Sequence, residues 1–169
     1  IDSLFSVGAT FKTIYSNYES YTSVGVAVDL AATYFNSNKQ LCMTLVARNA
    51  GVQLKTYVSD NNEKLPLEVM FGISKRLDKA PFRLGLHVTH LEKFDLSFTN
   101  PNSQTTIDPI TGEAVTEKTS FGKKIMLHMI PSIEIILSKN FMIRGSYNFQ
   151  RRNELAFESR KAMAGLSFG

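Results

Sequence analysis

Gly165, Ser167 and Gly169 fit the G-x-S-x-G spacing of a nucleophile elbow, which presents a serine on a sharp strand-to-helix turn. Such an elbow needs a helix and its acid and histidine partners after the serine. With Gly169 as the last residue, the pattern is expected to be strand alternation with small residues. Ser120-Phe121-Gly122-Lys123 fits S-x-x-K and Ser59-Asp60-Asn61 fits S-D-N, the pair used by penicillin-interactive serine enzymes. Here the order is reversed, both lie in or beside polar loops, and no K-T-G follows. The histidines, His87, His90 and His128, have no close-spaced partner that would make a ligand pair. Cys42 lacks an activating neighbour in sequence and reads as a structural thiol. There is no glycine-rich phosphate loop, and the basic pairs Lys75-Arg76 and Arg151-Arg152 lack the interleaved aromatics of a single-strand nucleic-acid platform. The expectation is a protein without catalytic, metal or cofactor residues.

The elements that carry these residues are strands. In 24–36, Val24, Val26, Val28, Leu30, Ala32 and Tyr34 alternate with Gly25, Ala27, Asp29 and Thr33. Alternation recurs in 66–76, 81–90 and 141–150, and less cleanly in 3–15, 40–49, 121–138 and 163–169. Period two sends one set of side chains to an apolar face and the other to a polar face. The polar set contains Asp29, Arg48, Glu68, Arg83, His87, Lys124, Glu134 and Arg144. Pro131 removes a ladder donor inside 121–138, so a bulge or kink is expected there. No segment of ten or more residues has helical periodicity, and about eight strands make the class all-β.

Composition narrows the setting. The 169 residues are 43% hydrophobic and 20% charged, with net charge +4, one cysteine and no tryptophan. One cysteine excludes an internal disulfide framework and a multi-thiolate zinc site. The scattered positive excess is too small to argue for nucleic acid. No run approaches the roughly 18 to 20 apolar residues of a spanning helix. A transmembrane β-barrel remains open, because its signal is alternation rather than bulk hydropathy.

The connections point the same way. Loops at 16–23, 50–65, 98–120 and 151–162 are expected to be long, and those at 36–40, 76–81 and 138–140 short. Long and short in strict turn is the rhythm of a bacterial outer-membrane barrel, with brief periplasmic turns and longer extracellular loops. Its apolar face would meet lipid and its polar face a wet lumen. A soluble lipocalin-like barrel would have the same alternation with the apolar face inside, and alternation alone does not say which face points inward.

The run 8–15, Gly-Ala-Thr-Phe-Lys-Thr-Ile-Tyr, followed by the strand 21–34, resembles the outer-membrane barrels related to PorV and PorQ of the type IX secretion system. Segments 51–55, 80–86, 91–96, 147–155 and 164–168 fit the same pattern in order, nearest the PorQ-like members. These are distant relatives of the long-chain fatty-acid transporter barrels. The resemblance implies an antiparallel barrel of about fourteen strands, with residues 1–169 forming one outer-membrane domain that supplies about eight C-terminal strands. Both ends are then expected to be trimmed. It implies a non-enzymatic role supporting surface attachment of secreted cargo, with sortase and attachment-complex subunits, cargo and membrane lipid as partners. Nucleic acid and cofactors have no part in it. Partner docking is expected on long loops, with Arg151, Arg152 and Glu154 as candidates. The fatty-acid relatives suggest instead a carrier of a hydrophobic small molecule, its pocket lined by Met70, Met126, Ile130, Ile136 and Met142.

Overall fold

The computed structural model describes residues 4–19, 21–57, 64–97, 106–107, 114–115, 120–155 and 163–169. In chain order they form β1 (Phe5–Tyr18), β2 (Tyr21–Asn36), β3 (Leu41–Lys55), β4 (Glu68–Arg76), β5 (Phe82–Val88), β6 (Thr106–Ile107) and β7 (Ala114–Val115). Then follow α1 (Phe121–His128), β8 (Met129–Ile136), β9 (Met142–Tyr147), α2 (Phe149–Leu155) and β10 (Leu166–Phe168). Eight strands make one antiparallel sheet in the order β1-β2-β3-β4-β5-β8-β9-β10, and β6 pairs only with β7. The large sheet is therefore a simple meander, and the class is all-β.

The ladder register joins the alternating segments into two continuous faces. Phe11 stands opposite Val28, Leu30 opposite Ala47 and Leu45 opposite Phe71. Further along the same face, Leu84 stands opposite Ile133, Ile135 opposite Ile143 and Phe168 opposite Gly145. The opposite face runs through Asp29, Thr44, Gly72, His87, Ser132 and Ser146. It is the inner one: Thr44 of β3 and Ser167 of β10 line a single cavity on that side, so the sheet curls around its polar face. The apolar face is outward and bare, with Phe11 68%, Leu84 48%, Ile143 43% and Phe168 71% exposed. Among the described residues only Ala27 and Leu127 are buried hydrophobics. There is almost no apolar core on the inside of this fold.

Several boundaries differ from those expected. Residues 16–23 are not a long loop: β1 runs to Tyr18, β2 starts at Tyr21, and the two tyrosines face each other across a tight hairpin with Glu19 at φ 52°. Segment 121–138 is not one strand, because its first part is the helix α1. The partner strand β5 is only seven residues long, so residues before Met129 have no ladder to join, and Leu127 and His128 are buried in the helix instead. Lys124 accordingly sits on α1 and not on a strand face. Pro131 causes no bulge. It pairs with Leu86 in regular register, and β9 joins β8 only from Ser132 onward, so the missing N–H is not needed there. The ladder between β2 and β3 shifts register twice, once at Leu54 and once where Arg48 and Asn49 together oppose Asp29. Asn49 takes the left-handed conformation at φ 58° that this insertion requires. Residues 151–155 belong to α2 rather than to a loop, and most of the expected 98–120 loop lies outside the described residues.

At Gly51 the backbone of β3 leaves no room for a side chain against β2. A Cβ there would fall on the Val26 carbonyl oxygen and the Ala27 backbone, whereas one at Gly8 would meet nothing within 4 Å. Gly51→Ala should destabilise the sheet by about 1–3 kcal/mol, and Gly8→Ala should be neutral. Urea unfolding of the refolded chain measures both. Equal midpoints for the two variants would contradict this packing.

Candidate functional site

Cross-strand register explains why the charged residues of the inner face meet in pairs. Arg48 of β3 stands directly opposite Glu68 of β4, and its guanidinium reaches Glu68 Oε2 through Nε at 2.8 Å and Nη2 at 2.5 Å. Arg83 of β5 faces Glu134 of β8, which faces Arg144 of β9. Arg83 Nη1 donates to Glu134 Oε2 at 2.6 Å, and Arg144 Nε donates to Oε1 at 2.5 Å. Glu134 is only 7% exposed. A carboxylate so far out of water needs charged partners, and it has one on each side.

Near the middle of β1 and β2, Lys12 Nζ lies 2.7 Å from Asp29 Oδ1 and donates to Asn49 Oδ1 at 2.5 Å. The bulge amide of Asn49 donates to the same Asp29 oxygen at 2.8 Å. Thus Asp29, Arg48, Glu68, Arg83, Glu134 and Arg144 share one face in two clusters. One spans β1 to β4; the other lies on β5, β8 and β9 near the short turns. His87 is on the same face, exposed, with its ring over Gly72.

The cavity between these strands has a volume of about 860 Å³. A row of small residues leaves the room. Cys42, Ser74, Gly85, Ser132, Ser146 and Ser167 follow one another in register from β3 to β10. Val46, Met70 and Ile130 supply apolar wall, and Arg83, Glu134 and Arg144 lie at the short-turn end. Of the other apolar linings expected from sequence, Met126 is on α1, and Ile136 and Met142 do not line the cavity. Among the described residues no three His, Cys, Asp or Glu side chains are grouped to hold a metal ion.

The long-loop end carries a small cap made of residues 89–97, α1 and α2. The ring nitrogens of buried His128 stand 2.8 Å and 3.2 Å from the carbonyl oxygens of Thr89 and Phe94. Phe94 and Phe121 meet as a tilted pair with ring centroids 6.0 Å apart, and α1 packs on α2. Lys124 Nζ donates to Asp95 Oδ2 at 2.5 Å, so Lys124 belongs to this cap and not to the inner-face clusters. His90, at φ 56°, pairs with Glu92 at 3.0 Å and lies 3.9 Å from Glu68. Burial works against the Glu92 carboxylate, but hydrogen bonds from the Val69 amide, its own amide and His90 outweigh it and lower its pKa. On α2, Arg151 donates its amide to Asn148 Oδ1 at 2.8 Å, Arg152 lies over the Tyr147 ring at 6.0 Å, and Glu154 accepts from Gln150 at 2.9 Å.

Sequence reading overlooked Lys12, Asn49, Glu92 and Asp95. Lys12 was within reach, since it alternates with Phe11 and so falls on the polar face. The other three depend on a bulge and on loop conformation. Of the enzyme-like patterns, Gly165–Gly169 holds β10, with Gly165 at φ 89° closing the turn before it. Ser120 does precede a helix, α1, but it is exposed and its hydroxyl makes no capping bond; residues 59–61 lie outside the described residues.

The Lys124 ammonium, together with the hydroxyl and amide of Ser97, holds the Asp95 carboxyl well below the usual carboxylate range. A lowered carboxylate pKa adds stability above its unfolded value and loses it as pH falls through the folded one. The clasp should therefore survive below the ordinary carboxylate pKa of about 4 and open only in stronger acid. NMR titration of the Asp95 carboxyl carbon tests this, and a midpoint at the ordinary value would contradict it. No protein-family model, curated protein or solved structure matches the chain.

Proposed function

We propose that the chain is part of an outer-membrane β-barrel that serves, without catalysis, as a scaffold in type IX protein secretion. The observation that carries the barrel is the inversion of faces. Large apolar side chains cover the outside of eight strands, while ion pairs line the inside. A water-soluble barrel has the opposite arrangement. In a bilayer the exposed apolar face is solvated by acyl chains, and charges point into a wet interior.

The same reading asks for more strands. β1 is fourteen residues long and stands at the edge of the sheet. Unpaired backbone groups at bilayer depth cost several kcal/mol each, so further strands would join β1 and β10 into a barrel of about fourteen. The cap, with Arg151, Arg152 and Glu154 on α2, would face outward for docking of sortase and attachment-complex subunits or of cargo.

The secretion role is supported by the ordered sequence resemblance to PorV- and PorQ-type barrels and by no site chemistry. A second reading, a carrier of a hydrophobic small molecule, is favoured by the 860 Å³ cavity with Val46, Met70 and Ile130 on its wall.

Expression of the whole gene followed by envelope fractionation tests the barrel. The protein should be recovered in outer membranes and should migrate faster on a gel when unboiled. Recovery in the soluble periplasm would overturn this reading. Deletion of the gene should leave cargo trapped or unattached at the surface. Normal cargo attachment would overturn the secretion role and leave the barrel standing.

A further inference from the structure

The register places four charged residues in one row across the short-turn end of the inner face: Arg76, Arg83, Glu134 and Arg144. The row holds three guanidiniums and one carboxylate, which pairs with Arg83 and Arg144 only, so it carries an excess of two positive charges. Arg76 and Arg83 stand directly opposite each other, and like charges in that position repel. Arg76 has no carboxylate partner among the described residues. The side chains of Arg83 and Arg144 are 40% and 66% exposed, and each gives only one N–H to Glu134, with Arg144 Nη2 also 4.0 Å from the Met142 sulfur. A guanidinium has five N–H donors in a fixed fork, so both side chains keep donors facing the cavity. Lys39, Lys79 and Lys139 stand in the three short turns around this end, with Asp78 beside Lys79, so the turns add a net two positive charges.

Glu134 makes this more than a basic patch. Its nearly buried carboxylate holds Arg83 and Arg144 on its two oxygens and fixes their spacing, as a built anion site requires. The row of Ser74, Gly85, Ser132 and Ser146 beside it leaves space for a tetrahedral group and offers hydroxyl donors. A doubly charged oxyanion matches the excess of two charges, and the planar forks suit phosphate oxygens.

We propose that the short-turn end of the cavity binds a phosphate monoester group through Arg83 and Arg144, with Glu134 as the positioning residue and Arg76, outside the lining but opposite Arg83, adding positive charge. The group arrives on a small soluble molecule or on a lipid headgroup, and the chemistry of the site is the same for both.

Calorimetric titration of the full chain in neutral detergent micelles tests the site, with inorganic phosphate in one arm. In the other arm the micelles are doped with phosphatidic acid, with phosphatidylcholine as control. Saturable binding is expected in at least one arm. The phosphate arm alone identifies a soluble source, and the phosphatidic acid arm alone a headgroup. Arg144→Gln should weaken binding about tenfold, the loss of one charge-assisted contact. Arg76→Gln, which breaks no ion pair, should weaken it severalfold. Glu134→Gln, whose amide nitrogen cannot accept from a guanidinium and so releases the fixed spacing, should weaken binding although it removes a negative charge, whereas a carboxylate that only competed with the ligand would tighten binding on its removal and overturn the positioning role. Absence of saturable binding in both arms, or affinity unchanged by both Arg76→Gln and Arg144→Gln, would overturn the proposal.

Discussion

A strand in a hydrogen-bonded ladder has no freedom to choose which side chains share a face. Once Phe11 stands opposite Val28 and Leu84 opposite Ile133, every second residue of eight strands is committed to one surface, and a slip of one position would exchange the faces entirely. That constraint organises the rest of the molecule. It collects the apolar residues into an outer sheet surface left largely exposed among the described residues. It also collects Asp29, Glu68 and Glu134 with Lys12, Arg48, Arg83 and Arg144 on the inner surface, each acid beside a base. The curl toward the polar side then creates a cavity where a soluble fold would have its core.

The ion pairs are a consequence of this geometry and also guard it. Exposed pairs between long side chains contribute little, but Glu134 is nearly out of water, and removing both of its partners would strand a buried charge. Slipping β8 by one residue would turn that carboxylate to the apolar face. Register and electrostatics thus specify the same alignment on β5, β8 and β9. On β1 to β3 the bulge does the equivalent work, because Asn49 can donate to Asp29 only when two residues oppose one.

What sequence reveals here is whatever depends on period two. The faces of 24–36, 66–76, 81–90 and 141–150 are legible because each alternates visibly, although 149–150 belong to α2, and with Arg48 of 40–49 and Glu134 of 121–138 six of the eight polar-face residues enter inner-face ion pairs. Lys124 does not, because alternation in 121–128 is compatible with helix once β5 stops at Val88 and no partner remains. The ends of β1 and β2 are equally hidden: Ser16, Asn17 and Thr22 are polar on a hairpin that projects beyond the apolar band, and composition there reads as loop. The Asn49 bulge, the His128 contacts and the Lys124–Asp95 clasp are tertiary facts without a local signal. The row of three arginines around Glu134 was present in sequence as four separate charges, and only the register brings it together.

The central claim, that the bare apolar face meets acyl chains while the charged face meets water, is measured most directly by site-specific labelling in isolated envelopes. In a Cys42→Ser background, single cysteines at Leu45, Leu84 and Ile143 are compared with cysteines at Thr44, Ser132 and Ser146, using a membrane-impermeant maleimide. The account predicts labelling at the second set and protection of the first until the bilayer is dissolved in denaturant. Ready labelling at Leu45, Leu84 and Ile143 in intact membranes, with protection at Thr44, Ser132 and Ser146, would contradict it.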